Sequence, residues 1–311
     1  MEIQEVTSEV YNSVVKSPTH LFNSALFNDL NKEKCEKVFY LLFKDSKVRF
    51  GLTVGLRDNK LFSPFSASYG GFEPLFEDTK LSQIDAALVS FSNWAKEKSF
   101  AGIKIIIPPF FFNEDFSAKM VNCFYRAGFE VKNKELNYHF QSKNLNDDYF
   151  QLIWYNARKN LKKSLTKSLS FSKLPLEEGK VAYDIIAQNR RERGFPLRLT
   201  FEQLEETGKI IPIDYFLVEE GTTKIGAAIV FHLSASVVRV VYWGDLPEYS
   251  ELKTMNFLSY SVFKYYQEIG IPMIDIGHST EESIPNHGLC EFKESIGCSI
   301  SLLYEFYKDL N

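Results

Sequence analysis

The spacing of hydrophobic positions changes several times along the chain, and each change marks an element. Residues 19–33 place Leu21, Phe22, Leu26 and Phe27 on one face, which predicts a short helix. β-forming runs follow at 37–43, 48–56 and about 61–69. Turn signals at Asp45-Ser46 and Arg57-Asp58-Asn59 make antiparallel hairpins the economical pairing. Leu81, Ile84, Leu88, Phe91 and Ala95 recur at three- and four-residue steps and predict an amphipathic helix ending at Gly102. Residues 103–107 read as a strand stopped by Pro108-Pro109. A helix over 114–126 ends at Gly128, and 129–131 and 136–140 return to β.

Residues 144–148 are polar and predict a linker or crossover. Beyond it, 149–168 reads as helix with a basic second half, and 181–193 as a helix closed by Gly194. Thr200 with Gln203 three residues on has the form of a capping box. Three β runs follow at 214–219, 224–233 and 237–243. Leu252, Met255, Leu258, Val262, Tyr266 and Ile269 then form one helical stripe up to Gly270. The last stretch is an apolar strand at 273–276, a polar loop, a short helix over 288–293, Gly297, and a final β run.

The two halves share this order. Antiparallel strands lead to an aromatic-Gly pair (Tyr69-Gly70, Trp243-Gly244), then a long helix, an apolar strand, a helix, a Gly and a last strand. The offset is about 170 residues, from Gly70 to Gly244, Ile103 to Ile274 and Gly128 to Gly297. The fold class expected is therefore α+β, in two lobes that are each a mixed, mostly antiparallel sheet flanked by helices. The boundary expected is at the linker: 1–145 and 146–311, the second lobe including the basic joining helix.

Composition narrows the function. At 311 residues and 45% hydrophobic the chain can bury two cores. A net charge of −4 and a pI near 5.9 argue against a general binder of nucleic acid or anionic membranes, while leaving room for one local basic groove. Cys35, Cys123, Cys290 and Cys298 form no CxxC pair and no cluster with histidine, so free thiols and no metal site are expected. The start, Met1-Glu2-Ile3-Gln4-Glu5, has no apolar signal region, and no apolar run is long enough to insert across a membrane. A cytoplasmic location is expected. No nucleophile elbow, P-loop or Rossmann glycine pattern is present, which excludes those hydrolase, kinase and dehydrogenase readings.

Candidate chemistry gathers in two places. The polar loop and helix after residue 273 hold Asp275, His278, Asn286, His287, Glu291 and Lys293. Asp275 or His278 could take the proton of an attacking amine, although a carboxylate at a strand end more often caps its own loop. Tyr242 could donate to a substrate or leaving group. Tyr69 and Trp243, each before a glycine at a strand end, and Asn286 are candidate substrate-binding residues. The second place is the basic helix: Arg158, Lys159, Lys162, Lys163 and Lys167, with no acid from Tyr155 to Pro175. Arg158 and Lys162 are four apart and share a face, so they could hold one phosphate together. A solvated surface run is the plainer account of such a cluster.

Several phrases resemble a known family. The element order is that of GNAT acyltransferases, and Phe124-Tyr125-Arg126-Ala127-Gly128-Phe129 resembles the segment that closes many GNAT domains. Two such units in tandem resemble the FemAB-like branch, which includes peptidyltransferases of bacterial cell-envelope synthesis. Ser68-Tyr69-Gly70-Gly71 is similar to the end of that branch's first sheet, and Arg158 with Asn160-Leu161-Lys162-Lys163 to its joining helix. The most specific match is Asp275-Ile276-Gly277 followed by Gly288-Leu289, Phe292-Lys293 and Gly297, which resembles the D-x-G … G-L-x-x-F-K-x-x-x-G ending of the second lobe.

The resemblance implies an N-acyltransferase moving an acyl or aminoacyl group to an amine, on a cell-wall precursor, an amino sugar or another small molecule. It implies that Lys293 stabilises the oxyanion formed at the carbonyl. The donor is open. The glycine-rich pyrophosphate loop of acetyl-CoA users is not recognisable in 245–251 or 72–78, which are acidic. Acyl-CoA therefore stands beside aminoacyl-tRNA, and tRNA is a candidate partner. The alternative reading is a catalytically silent protein of this fold that binds a phosphorylated ligand in a basic cleft.

Overall fold

A computed structural model of the chain describes residues 1–146 and 148–311; Asp147, within the expected linker, lies outside the described residues. The chain forms two compact units, Met1–Leu136 with Ser301–Asn311, and Asn137–Ile300. Each is a mixed, mostly antiparallel sheet flanked by helices, as the repeat predicts.

In the first unit β1 (Glu2–Val6) leads to α1 (Ser8–Val14) and α2 (Ala25–Leu30). The meander is β2 (Lys37–Lys44), β3 (Val48–Arg57) and β4 (Lys60–Ser63), and short β5 (Glu73–Pro74) pairs with β3. The third run, expected over 61–69, stops at Ser63 because Pro64 has no N–H to continue a ladder. After α3 (Leu81–Glu97), β6 (Gly102–Ile106) lies parallel to β4, and α4 (Glu114–Arg126) follows. The chain's last strand, Ser299–Asp309, runs antiparallel to β6 with Phe306 opposite Ile105. The core is aromatic: Phe43, Phe50, Phe72, Phe91 and Phe124 are buried together, and Phe124 stacks on Phe306 at 4.6 Å. Each such side chain contributes about 1.5–3 kcal/mol when fully buried.

The second unit takes β7 (Glu130–Gln141) from Asn137 onward. Residues expected as one helix over 149–168 divide into α5 (Tyr149–Leu152) and α6 (Tyr155–Leu165), with Ile153 extended between them. An unexpected strand, β8 (Leu169–Leu174), precedes α7 (Gly179–Glu192) and α8 (Phe201–Gly208). The capping box forms: Thr200 Oγ1 accepts from Gln203 N at 3.2 Å, and Gln203 Oε1 from Thr200 N at 3.0 Å. Strands β9 (Ile213–Glu220), β10 (Thr223–His232) and β11 (Val237–Asp245) are antiparallel neighbours. α9 (Thr254–Glu268) then leads to β12 (Met273–His278), the hairpin β13 (Thr280–Glu281) and β14 (Ile284–Pro285), and α10 (His287–Ser295). Of the stripe expected on α9, Leu258, Val262 and Tyr266 are buried, but Ile269 is 50% exposed because the helix has ended before it.

The expected boundary at 145/146 is corrected. Residues 137–141 belong with the second unit and 301–311 with the first. A strand goes where its ladder is: Phe140 pairs with Ile274 on β12, whereas Phe306 pairs with Ile105 on β6. Phe140 also stacks on Phe263 of α9 at 4.0 Å.

Candidate active site

Among the described residues, the second unit has one pair of parallel neighbours, β11 and β12. Their ladder spans Val237–Met273, Val238–Ile274 and Arg239–Asp275, and ends there. β11 continues to Asp245, while β12 acquires a bulge between Asp275 and Gly277 in its pairing with β7. The two strands part beyond Asp275, and the polar residues of the Asp-Ile-Gly phrase sit at the fork.

The chemistry of that phrase is local. Asp275 is fully buried. Its Oδ1 accepts from Asn137 Nδ2 and from Gly277 N, both at 2.9 Å, and its Oδ2 accepts from Arg239 Nη1. Burial raises the carboxyl pKa, but Arg239, Asn137 and the Gly277 N–H outweigh it and hold it below the ordinary value. Gly277 adopts φ +78, a left-handed conformation that an L side chain enters at a cost. A Cβ there would also lie 3.1 Å from Arg239 Nη2. Both constraints select glycine.

Lys293 reaches the same turn from α10. It is 3% exposed, and its Nζ donates to the carbonyls of Ile276 (3.1 Å), Gly277 (2.8 Å) and His278 (3.3 Å). An ammonium has three N–H groups, and all three are spent on the bend of β12. Burial lowers its pKa to about 7. Contact with a developing oxyanion would require one of these carbonyl bonds to be exchanged.

Across the fork stand the aromatic residues of β11. Trp243 meets Phe292 of α10 edge-on at 6.1 Å between ring centres. The Tyr242 hydroxyl accepts from Leu199 N at 3.3 Å, and the Arg190 guanidinium lies 5.3 Å from the Tyr242 ring and 5.9 Å from that of Phe195. Arg190, on α7, is half-buried, and no carboxylate pairs with it among the described residues. Burial lowers its pKa. Next to it, Asn189 Nδ2 donates to Asp245 O at 2.6 Å and Arg193 pairs with Asp245 at 3.2 Å, which fixes α7 against the end of β11. Gly244 permits this approach, since a Cβ there would be 2.7 Å from Asn189.

Asp275, Lys293, Tyr242, Trp243 and His278 thus lie on the two strands and the helix that form the fork, with His278 at the exposed end of β12. Asn286 caps α10, its Oδ1 accepting from Leu289 N at 3.1 Å. Arg158 and Lys162 are on α6, which packs against α9. Arg158 bends back to Ile153 O at 3.4 Å, and Lys162 is exposed, 5.9 Å from the Phe150 ring. Tyr69 belongs to the first unit, buried among His20, Phe22 and Phe112.

No protein-family model and no curated protein sequence matches the chain. Solved structures do. FemX superposes with a TM-score of 0.72 at 15% identity, over 100% of this chain and 98% of FemX. The fold is that of FemX. L-PGS from Bacillus licheniformis gives a TM-score of 0.60 at 12% identity, covering 98% of this chain and 93% of its own. A tandem GNAT protein from the clavulanic acid biosynthesis pathway gives 0.51 at 8%, covering 100% and 98%.

Between β11 and α9 runs the acidic segment 245–251. It coils into a 3-10 helix, Pro247–Leu252, in which Tyr249 N donates to Leu246 O at 3.0 Å, and Lys253 N just beyond donates to Ser250 O at 3.2 Å. Glu248 and Glu251 add negative charge. In the corresponding acidic segment of the first unit, 72–78, Glu73 is buried and its carboxylate accepts from Thr19 N at 2.8 Å and Asn23 Nδ2 at 3.1 Å. Sequence reasoning missed Arg190 and Arg239. Arg239 sits in a strand reading Val-Val-Arg-Val-Val, where a lone charge between apolar neighbours was the available signal of a buried partner.

Proposed function

We propose that the protein is an N-acyltransferase that moves an aminoacyl group onto an amine acceptor, a small molecule or cell-envelope precursor, in the fork between β11 and β12. The observation that carries this is the Arg190 guanidinium, half-buried over Tyr242 with no carboxylate paired to it among the described residues. A desolvated cation without a counter-ion is a ready anchor for a phosphate, a carboxylate or the charge developing at a carbonyl, because screening is weak there. In this reading His278, at the exposed end of β12, takes the proton of the attacking amine. Lys293 and Asp275 act on the reaction by holding the bend. The closed segment after β11 favours aminoacyl-tRNA over acyl-CoA as donor. A cytoplasmic site of action fits that choice.

The test is transfer of labelled acyl groups by the intact chain from acetyl-CoA, a long-chain acyl-CoA and a pool of aminoacyl-tRNA, to a UDP-linked peptide precursor, an amino sugar and a simple amine. Transfer from aminoacyl-tRNA, reduced at least about 100-fold in Arg190→Ala with the fold intact, is expected. Transfer from CoA alone would overturn the choice of donor. Binding of phosphorylated ligands without transfer from any donor would establish the silent binding protein instead.

A further inference from the structure

The outer face of α6 is unlike the rest of the surface. Ala157, Leu161 and Ser164 face inward and are buried. Opposite them, Tyr155, Lys159, Lys162 and Lys163 fall on one face at helical spacing, all exposed, and Lys167 follows, also exposed. None of these four ammonium groups is in an ion pair among the described residues. The protein as a whole carries a net charge of −4, yet no acid occurs between Tyr155 and Pro175. Immediately before and within the helix, large apolar side chains stand in solvent: Leu152 at 49%, Trp154 at 49% and Tyr155 at 74% exposure. The backbone there is fixed, since Trp154 N donates to Ser295 O at 3.0 Å, so their exposure is built into the fold.

We propose that this surface docks the protein on an anionic phospholipid membrane, α6 lying flat with its lysines over the headgroups and Trp154, Tyr155 and Leu152 seated at the headgroup level. Lysines and aromatic residues on one short helix are the pairing that an interface rewards: the cations meet lipid phosphates, and indole and phenol rings place an apolar body and a polar edge at the boundary. RNA would use the lysines equally well. It offers nothing to Leu152, an apolar side chain that a membrane interface accepts. No helix of the described residues is long and apolar enough to cross a membrane, so the contact is peripheral. The inference does not depend on the proposed reaction.

The experiment is co-sedimentation of the intact chain with vesicles of phosphatidylcholine, and with vesicles of equal parts phosphatidylcholine and phosphatidylglycerol, at low and high salt. Binding to the anionic vesicles alone, weakened by salt, is expected. Lys159→Gln with Lys163→Gln should lower partitioning by about 25-fold, near fivefold for each lysine. Trp154→Ser should lower it separately, and a blue shift of tryptophan emission on binding should vanish in Trp154→Phe. The substitutions are at exposed positions, and unchanged circular dichroism and Tm would show the fold intact. Absence of vesicle binding, binding unaffected by Trp154→Ser and the lysine pair, or retention of mixed tRNA by this face with no affinity for vesicles would each overturn the proposal.

Discussion

Replacing Asp275 with alanine isolates the feature on which the fork depends. The carboxylate is fully buried and Arg239 is 7% exposed, so Asp275→Ala leaves a guanidinium in the interior without its counter-ion. It also removes the acceptor of Asn137 Nδ2 and of Gly277 N, each bonded at 2.9 Å. Breaking a buried pair from one side costs about 3–5 kcal/mol. An orphaned buried donor costs about 1–3 kcal/mol, but these groups share one network and their costs do not add. The expected loss is therefore about 4 kcal/mol, a large part of the 5–15 kcal/mol typical of a folded protein. Urea unfolding followed by tryptophan emission reads it, because Trp154 and Trp243 lie in this unit.

The double variant Asp275→Leu with Arg239→Met supplies the control. An apolar pair of similar volume needs no counter-charge, so most of the lost stability should return. The pH dependence has a fixed sign. Arg239, Asn137 and Gly277 N hold the Asp275 carboxyl below its ordinary value despite burial, so its contribution is fully present above the unfolded pKa of about 4 and is lost as pH falls through the folded value. Asp275→Ala should lack that acid-side slope. A single substitution costing less than about 1 kcal/mol, or a double variant as unstable as the single, would refute the account of this turn.

Three further outcomes follow from the same reasoning. Gly277→Ala forces a Cβ into a left-handed conformation and toward Arg239, and should cost about 2–3 kcal/mol in the same urea assay. Lys293→Met removes an ammonium whose pKa is lowered to about 7 by burial. The wild type should gain stability as pH rises from 7 toward 10.5, because the unfolded chain binds the extra proton, and the variant should lose that gain when Tm is followed against pH. His20 is fully buried with neither ring nitrogen hydrogen-bonded, and burial lowers its pKa to about 3. Stability should fall below pH 6.5, by about 2 kcal/mol at pH 5, and His20→Phe should abolish this loss and raise Tm at neutral pH.

Much of the architecture could be read from spacing because it rests on local rules. The stripe on α3 and the Thr200 capping box declare themselves within a few residues. The doubled order of elements gave both lobes. Four features escaped. β8 reads Leu-Ser-Phe-Ser-Lys-Leu, a good alternation, but it follows a basic helix with no turn glycine to separate them. Ile153 breaks α5 from α6 without a proline, because Trp154 N is drawn to Ser295 O, a contact 141 residues distant in sequence. The destinations of residues 137–141 and 301–311 are set by pairing with strands far along the chain, and no local pattern carries that information. Arg190 escaped for a related reason: an arginine near the end of a helix looks solvated until the rings of Tyr242 and Phe195 close over it.

The Asp-Ile-Gly and Phe-Lys phrases were the most specific signals in the sequence, and their atoms explain why. Asp275 gathers Arg239, Asn137 and Gly277 N; Gly277 takes the conformation the bulge demands; Lys293 ties down the next three carbonyls. Each residue serves one purpose, to turn β12 away from β11 and keep it turned. Such a bend cannot be made from ordinary strand residues, because it exposes carbonyls to the interior and needs a left-handed backbone, so it leaves a legible mark. The groups proposed to face a substrate are marked by no such phrase. Arg190 sits within the helix α7, and Tyr242 and Trp243 on β11 just beyond a register shift in its pairing with β10. The phrases therefore locate the fork, and the identity of what enters it is set by residues that only the folded chain brings together.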